Sequence, residues 1–99
     1  MTAPEPRFLS ISEVIEIHEQ EIKAAGGLAG IRDAKALESA IGAPQASFKG
    51  EFLMDIFEMA ATYLNSLAMD HPFLDGNKRT ALASCLTFLY INVRQRRTV

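Results

Sequence analysis

Apolar side chains recur at helical spacing along nearly the whole chain, and the breaks between runs divide it into four helices. Ser10 followed by Glu13 has the spacing of a capping box, in which two side chains satisfy each other's backbone N–H groups at a helix start. From there Ile11, Ile15, His18 and Ile22 share one face with Val14 beside them, while Glu13, Glu16, Glu19 and Glu21 fall mainly toward solvent. Gly26-Gly27 stops this helix. Asp33 is suited to cap a second helix carrying Leu37 and Ile41, which ends near Gly42-Ala43-Pro44 because the residue before a proline avoids helical backbone angles.

Gln45 to Gly50 has no helical pattern. A third helix is expected from about Glu51 to Ala68, with Leu53, Phe57, Ala60, Leu64 and Leu67 in register. The loop Asp70 to Gly76 contains Pro72, and a fourth helix starts near Asn77 and continues past Leu89. Leu82, Cys85, Leu86, Phe88 and Leu89 make it apolar almost all round, the mark of a helix covered by neighbours. Nothing reads as a pair of alternating strands. The expected fold is all-α, a compact bundle around a buried central helix, with Ile31, Leu37 and Ile41 in the core.

Composition narrows the class. At 99 residues, 48% of them hydrophobic, the chain forms one domain, residues 1–99, able to bury a core without disulfides or a structural metal. Residues 1–9 and 94–99 are expected to be flexible tails. The single cysteine, Cys85, lies in an apolar run and reads as a small buried hydrophobe, in keeping with a reducing compartment. The start, Met1 to Pro6, is polar and broken by prolines, unlike a secretory signal. The run Ala81 to Val93 is too short to cross a bilayer, so a soluble, cytoplasmic protein is expected.

Net charge is −2, which argues against an all-over nucleic-acid binder. Its distribution is uneven. Residues 1–70 hold eleven acidic and five basic side chains, whereas residues 71–99 hold one acidic and five basic. Part of that positive charge, Arg94, Arg96 and Arg97, lies at the C-terminus with no aromatic platform on which bases would stack, so these arginines read as solvated.

The chemistry concentrates in His71-Pro72-Phe73-Leu74-Asp75-Gly76-Asn77-Lys78-Arg79-Thr80. A histidine, a carboxylate, a glycine, an asparagine and two cations fall within nine residues that lead into a helix N-terminus. The free N–H groups and dipole of that first turn favour an anion. Gly76 allows close backbone approach, and Lys78 and Arg79 can add charge-assisted bonds to phosphate oxygens. Asp75 can offer Mg²⁺ a hard oxygen, and His71 can take a proton near neutral pH.

Taken singly, each residue also has an ordinary reading. His71 before a proline is commonly structural, Asp75-Gly76 is an ordinary turn pair, and Lys78 and Arg79 are commonly just solvated. The dipole slightly disfavours two cations in a first turn, which makes better sense if an anion lies between them. Phe73 reads as an apolar anchor pinning the loop. The residues alone leave both an anion site and a plain loop open.

The run His71-Pro72-Phe73-x-Asp75-Gly76-Asn77-x-Arg79 resembles the signature of the Fic/Doc superfamily. Lys78, followed by Thr80-Ala81-Leu82 and an apolar helix, resembles its Doc toxin branch, the death-on-curing family. Upstream, Gly26-Gly27-Leu28-Ala29-Gly30-Ile31-Arg32-Asp33, then Leu37 to Ile41 and Pro44-Gln45, is similar to the first half of such proteins. The resemblance implies an ATP-dependent protein phosphotransferase, the toxin of a toxin–antitoxin pair, whose target in that branch is translation elongation factor Tu. His71 would be the general base, and Asp75 would hold Mg²⁺ on the ATP phosphates. Gly76, Asn77 and Lys78 would form the anion-binding turn, and Arg79 would grip phosphate. Gln45 to Gly50 would be the flap that aligns the target chain, with Phe48 and Lys49 as its contacts. An antitoxin protein would dock a helix into a groove on the toxin.

Two departures bear on this reading. Fic enzymes that transfer AMP carry glycine at the position of Lys78 and arginine at that of Leu82, so the AMP-transferring alternative is disfavoured here. Doc-like chains also continue beyond the apolar helix, whereas this sequence stops at Val99. Loss of the usual C-terminal element would uncover part of the Leu82–Leu89 helix, for which a homo-oligomer or poor solubility is expected. A catalytically inactive binding module with the same fold is the rival from a different class.

Overall fold

Ser10 and Glu13 open the first helix as their spacing predicts. Glu13 N–H donates to the Ser10 hydroxyl at 3.2 Å, and Ser10 N–H donates to the Glu13 carboxylate at 2.9 Å. The computed structural model describes residues 5–96, with the side chains of residues 95 and 96 left aside. Its elements are α1 (Ile11–Ala25), α2 (Ala34–Gly42), a 3₁₀ turn (Ala43–Gln45), β1 (Ser47–Phe48), β2 (Glu51–Phe52), α3 (Ile56–Asp70) and α4 (Asn77–Arg96). The expected all-α class holds, since the two strands supply only four residues.

α1 buries Val14 and His18, with Ile15 and Ile17 packed partly against the core. Ile11, expected on that face, is 40% exposed because the buried stripe centres on Val14. Gly26 ends α1 at φ 82°. Asp33 caps α2 by accepting the Ala36 N–H at 3.1 Å, and α2 buries Leu37, Ala40 and Ile41 against α3. Ile31, expected in the core, is 43% exposed. It lies in the α1–α2 connection, whose backbone forms an antiparallel bridge with Phe73.

The stretch without helical pattern is a hairpin in which Ser47 pairs with Phe52 and Phe48 with Glu51. Lys49 at φ 52° and Gly50 at φ 81° make its turn, with the two positive φ angles that match the twist of a two-residue hairpin. α3 therefore begins five residues later than the expected Glu51. Asp55 and Glu58 form a second capping box there, at 2.8 and 3.0 Å. Starting from Asp55, the buried stripe is Ile56, Met59, Ala60, Tyr63 and Leu67. Ala60 and Leu67 were placed correctly by periodicity. Leu53 and Phe57, at 64% and 68% exposure, lie outside the core.

α4 packs chiefly on α3 and also on α1. It buries Thr80, Ala81, Ser84, Cys85, Phe88 and Asn92, so Cys85 is the small buried residue expected. The helix is covered along one side rather than all round. Leu82, Leu86 and Tyr90 are more than half exposed on the other side. No described helix is long and apolar enough to cross a membrane.

Arg7 and Leu9 are tied down. The Asn92 carboxamide accepts the Arg7 N–H at 2.7 Å and donates to the Arg7 carbonyl at 3.1 Å. Leu9 is buried, and its N–H donates to the hydroxyl of the fully buried Tyr63 at 3.0 Å. Residues 7–9, expected as part of a tail, are thus fixed to α3 and α4. Residues 1–4 lie outside the described residues. At the other end α4 extends through Arg96, while Arg97 and the last two residues fall outside.

Candidate functional site

The α3–α4 connection carries the residues that the motif singled out, and three sets of hydrogen bonds shape it. The first stops α3. His71 adopts a left-handed conformation, φ 48° and ψ 55°, at the helix C-cap. The Arg32 guanidinium donates to the carbonyls of His71 at 2.5 Å and Asp70 at 2.9 Å, placing a cation on the negative end of the helix. Arg32 and Asp33 also donate their N–H groups to the Pro72 carbonyl, and Leu74 donates to the Gly30 carbonyl. The α1–α2 connection therefore backs the loop along its length.

The second set clamps the middle of the loop. Asn77 Oδ1 accepts the Phe73 N–H at 2.9 Å while its Nδ2 donates to the Phe73 carbonyl at 3.0 Å. Phe73 is 1% exposed, the apolar anchor its sequence context predicts. Its ring stacks on that of His18 at 3.8 Å with 5° between the planes. His18 is buried, and its Nε2 lies 2.9 Å from the carbonyl oxygen of Asp75. A carbonyl only accepts, so Nε2 carries the proton.

The third set surrounds the Asp75 carboxylate. Oδ2 accepts the Leu28 N–H at 3.2 Å and Oδ1 accepts the Gly76 N–H at 2.8 Å. These bonds, the Leu28 one first, hold the carboxyl below its usual pKa, with smaller help from Arg79 and His18. Asp75 is an exposed anion whose remaining lone pairs face solvent. Across the turn, the Arg79 guanidinium donates to the Gly26 carbonyl at the end of α1, at 3.0 Å. Gly76 sits at φ 73°, and a β-carbon on it would lie 3.3 Å from Arg79 Nη2 and 3.1 Å from the Ile22 side chain.

His71, Leu74, Asp75, Gly76, Asn77, Lys78 and Arg79 line one surface cavity of about 430 Å³. Six of the sequence-derived candidates thus converge on one place. The Asn77 side chain is committed to Phe73, so what this residue offers an anion is its backbone N–H. Phe48 and Lys49 do not line the cavity. They form the exposed end of the hairpin, with the Lys49 ammonium 5.4 Å from the Phe48 ring centre.

Asp75 is the one carboxylate in the lining of the cavity. Among the described residues no group of three His, Cys, Asp or Glu side chains could hold an ion. A divalent cation here would take Asp75 and complete its shell with phosphate and water oxygens, the usual arrangement for Mg²⁺. The first turn of α4 supplies N–H groups at the positive end of a 20-residue helix, flanked by Lys78 and Arg79. Polyphosphate suits that surface.

Sequence reasoning overlooked three contributors, namely His18, Arg32 and the Gly26-Gly27-Leu28 turn. His18 had a weak signal, a histidine on an otherwise isoleucine-rich face. Arg32 and the turn act through main-chain contacts, which leave no periodic trace.

The Fic/DOC family model matches residues 8–89. The chain is 45% identical over 86 residues to "Protein kinase doc" of Escherichia phage P1, covering 87% of this chain and 68% of that protein. It is 44% identical over 70 residues to "Toxin Doc" of Mycolicibacterium smegmatis, covering 70% of this chain and 54% of that one. It therefore spans about two thirds of the first relative and about half of the second. With the family match running from the capped start of α1 to the middle of α4, and the motif loop assembled between them, this chain belongs to the Fic/DOC family.

Proposed function

We propose that this protein is a Doc-like toxin that transfers the terminal phosphate of ATP to a hydroxyl of a target protein, elongation factor Tu, and so blocks translation. The observation that carries the reading is the convergence of His71, Asp75, Lys78 and Arg79 on one cavity at the N-terminus of α4. The names of the two relatives, a protein kinase and a toxin, support it. Lys78 and Leu82 favour phosphate over AMP as the transferred group.

In this mechanism the His71 imidazole takes the proton from the target hydroxyl as its oxygen bonds to the γ-phosphorus. The bond from that phosphorus to the β–γ bridging oxygen breaks, and ADP leaves. Lys78, the spare donors of Arg79 and the first-turn N–H groups of α4 hold the phosphates and absorb the charge that develops. Asp75 would hold Mg²⁺, which when bound shields the phosphate oxygens from one another. Arg32 keeps His71 in its left-handed conformation at the rim of the cavity. The exposed hairpin with Phe48 and Lys49 would align the target chain, and an antitoxin partner would restrain the toxin in a reducing cytoplasm.

The test is intact-mass spectrometry of elongation factor Tu after incubation with this protein, Mg²⁺ and ATP. The expected result is a gain of one phosphoryl group that His71→Ala abolishes. A gain of an adenylyl group would replace the reading with AMP transfer. No mass change across a whole lysate, with folded protein, would leave an inactive binding module in its place.

A further inference from the structure

We propose that His18 is a positioning residue for the phosphate-holding turn, acting through the main-chain carbonyl of Asp75. The inference deepens the functional reading above and rests on it for the identity of the ligand. His18 lies 57 positions before Asp75 and is 2% exposed, yet its Nε2 reaches the Asp75 carbonyl at 2.9 Å. A buried imidazole carries a desolvation cost that an apolar side chain of similar size would avoid. The main thing it provides here that such a side chain cannot is a hydrogen bond to the site.

That bond has a geometric consequence. The Asp75 carbonyl and the Gly76 N–H belong to the same planar, trans peptide unit and point in opposite directions. Drawing the carbonyl inward to His18 therefore turns the Gly76 N–H outward, where it meets Asp75 Oδ1 at 2.8 Å. The same carboxylate accepts the Leu28 N–H through Oδ2. Fixing one peptide plane thus fixes the carboxylate and the entry into α4 together.

The imidazole is itself held in plane. Its face lies on Phe73 at 3.8 Å and 5°, and both backbone polar groups of Phe73 are clamped by the Asn77 side chain. Asn77, Phe73, His18 and Asp75 are linked by contacts that start and end on the turn. Free rotation of the His18 ring would break the bond, and the stack prevents it.

The test compares His18→Gln, which keeps an N–H at about the reach of Nε2, with His18→Asn, which is too short, and His18→Leu, which has none. Two readouts are taken on the whole chain: the ¹⁵N amide resonances of Leu28 and Gly76 without ligand, and calorimetric affinity for Mg·ATP. In Leu and Asn the two amides should shift and affinity should fall about tenfold, the scale of one lost hydrogen bond. Gln should return both toward wild type. A purely structural histidine would lower thermal stability in all three without separating Gln from Asn. Equal amide shifts and equal affinities in Gln and Asn would overturn the inference, as would a folded Leu variant with wild-type values. If the Leu variant does not fold, the Gln–Asn pair decides alone. If wild type does not bind Mg·ATP, the functional reading fails, and the ligand-free amide signals still decide the role of His18.

Discussion

The carboxylate of Asp75 occupies the space that a side chain on Gly27 would need. A β-carbon built on Gly27 lies 2.6 Å from Asp75 Oδ2, and Gly27 sits at φ 120°. The neighbouring residues of the same turn hold the site directly, Leu28 through its N–H to Asp75 and Gly26 through its carbonyl to Arg79. One glycine turn thus fixes both the carboxylate and the guanidinium.

Gly27→Ala should therefore act on the site before it acts on the fold. A methyl group there must push Asp75 aside and strain the backbone, with an expected stability loss of more than about 1 kcal/mol. Affinity for Mg·ATP should fall about tenfold or more as the carboxylate loses the Leu28 bond. Calorimetry alongside thermal unfolding separates the two effects, and an affinity loss no larger than that of a Gly50→Ala control would contradict the expectation. Nothing lies within 4 Å of a β-carbon on Gly50, although its φ is also positive.

Arg32→Ala should release the end of α3. It removes two donors from the Asp70 and His71 carbonyls and a cation from the helix C-terminus, an expected loss of about 1 kcal/mol at this exposed position. Phosphoryl transfer should fall further than ATP affinity, because His71 moves while the α4 turn stays. Arg32→Lys should restore only part, since an ammonium lacks the planar fork that spans two carbonyls. Paired measurements of turnover and Mg·ATP affinity check the split.

Tyr63 predicts an alkaline transition. Burial pushes its hydroxyl up to about 12 from 10.0, against the smaller opposing effect of the Leu9 N–H. A pKa raised on folding means that the neutral form is favoured in the native state. Its contribution is complete below the unfolded value and is lost as pH rises through about 12. Two units correspond to on the order of 2–3 kcal/mol. Tyr63→Phe should cost about 1–3 kcal/mol at neutral pH by stranding the Leu9 N–H, and should flatten the decline above pH 10. Denaturant titrations at pH 7 and at alkaline pH measure both.

Ser84→Ala should stabilise the protein. The Ser84 hydroxyl is fully buried on α4 and has no hydrogen-bond partner among the described residues. Its removal relieves an uncompensated desolvation and improves helix propensity, together about 1 kcal/mol. A rise in thermal midpoint is the expected observation, and a fall would mean that the hydroxyl is satisfied in solution.

The sequence by itself determined the parts of this protein that depend on neighbours in the chain. Capping spacing set the start of α1, Asp33 set that of α2, and the glycine and proline breaks set the connections. Because the motif is contiguous, its six candidates were legible before any fold was known. Tertiary structure decided the rest. The hairpin rests on positive φ angles at Lys49 and Gly50 and on pairing across it, neither of which alternates visibly over strands of two residues. The register of α3 followed from the cap at Asp55, which moved Phe57 out of the core stripe and Tyr63 into it. Contacts that give the site its geometry span 38 to 57 positions, and most end on main-chain atoms. A backbone carbonyl or N–H is the same chemical group at every residue, so no side-chain pattern announces which one a folded chain will bring to Asp75 or His71.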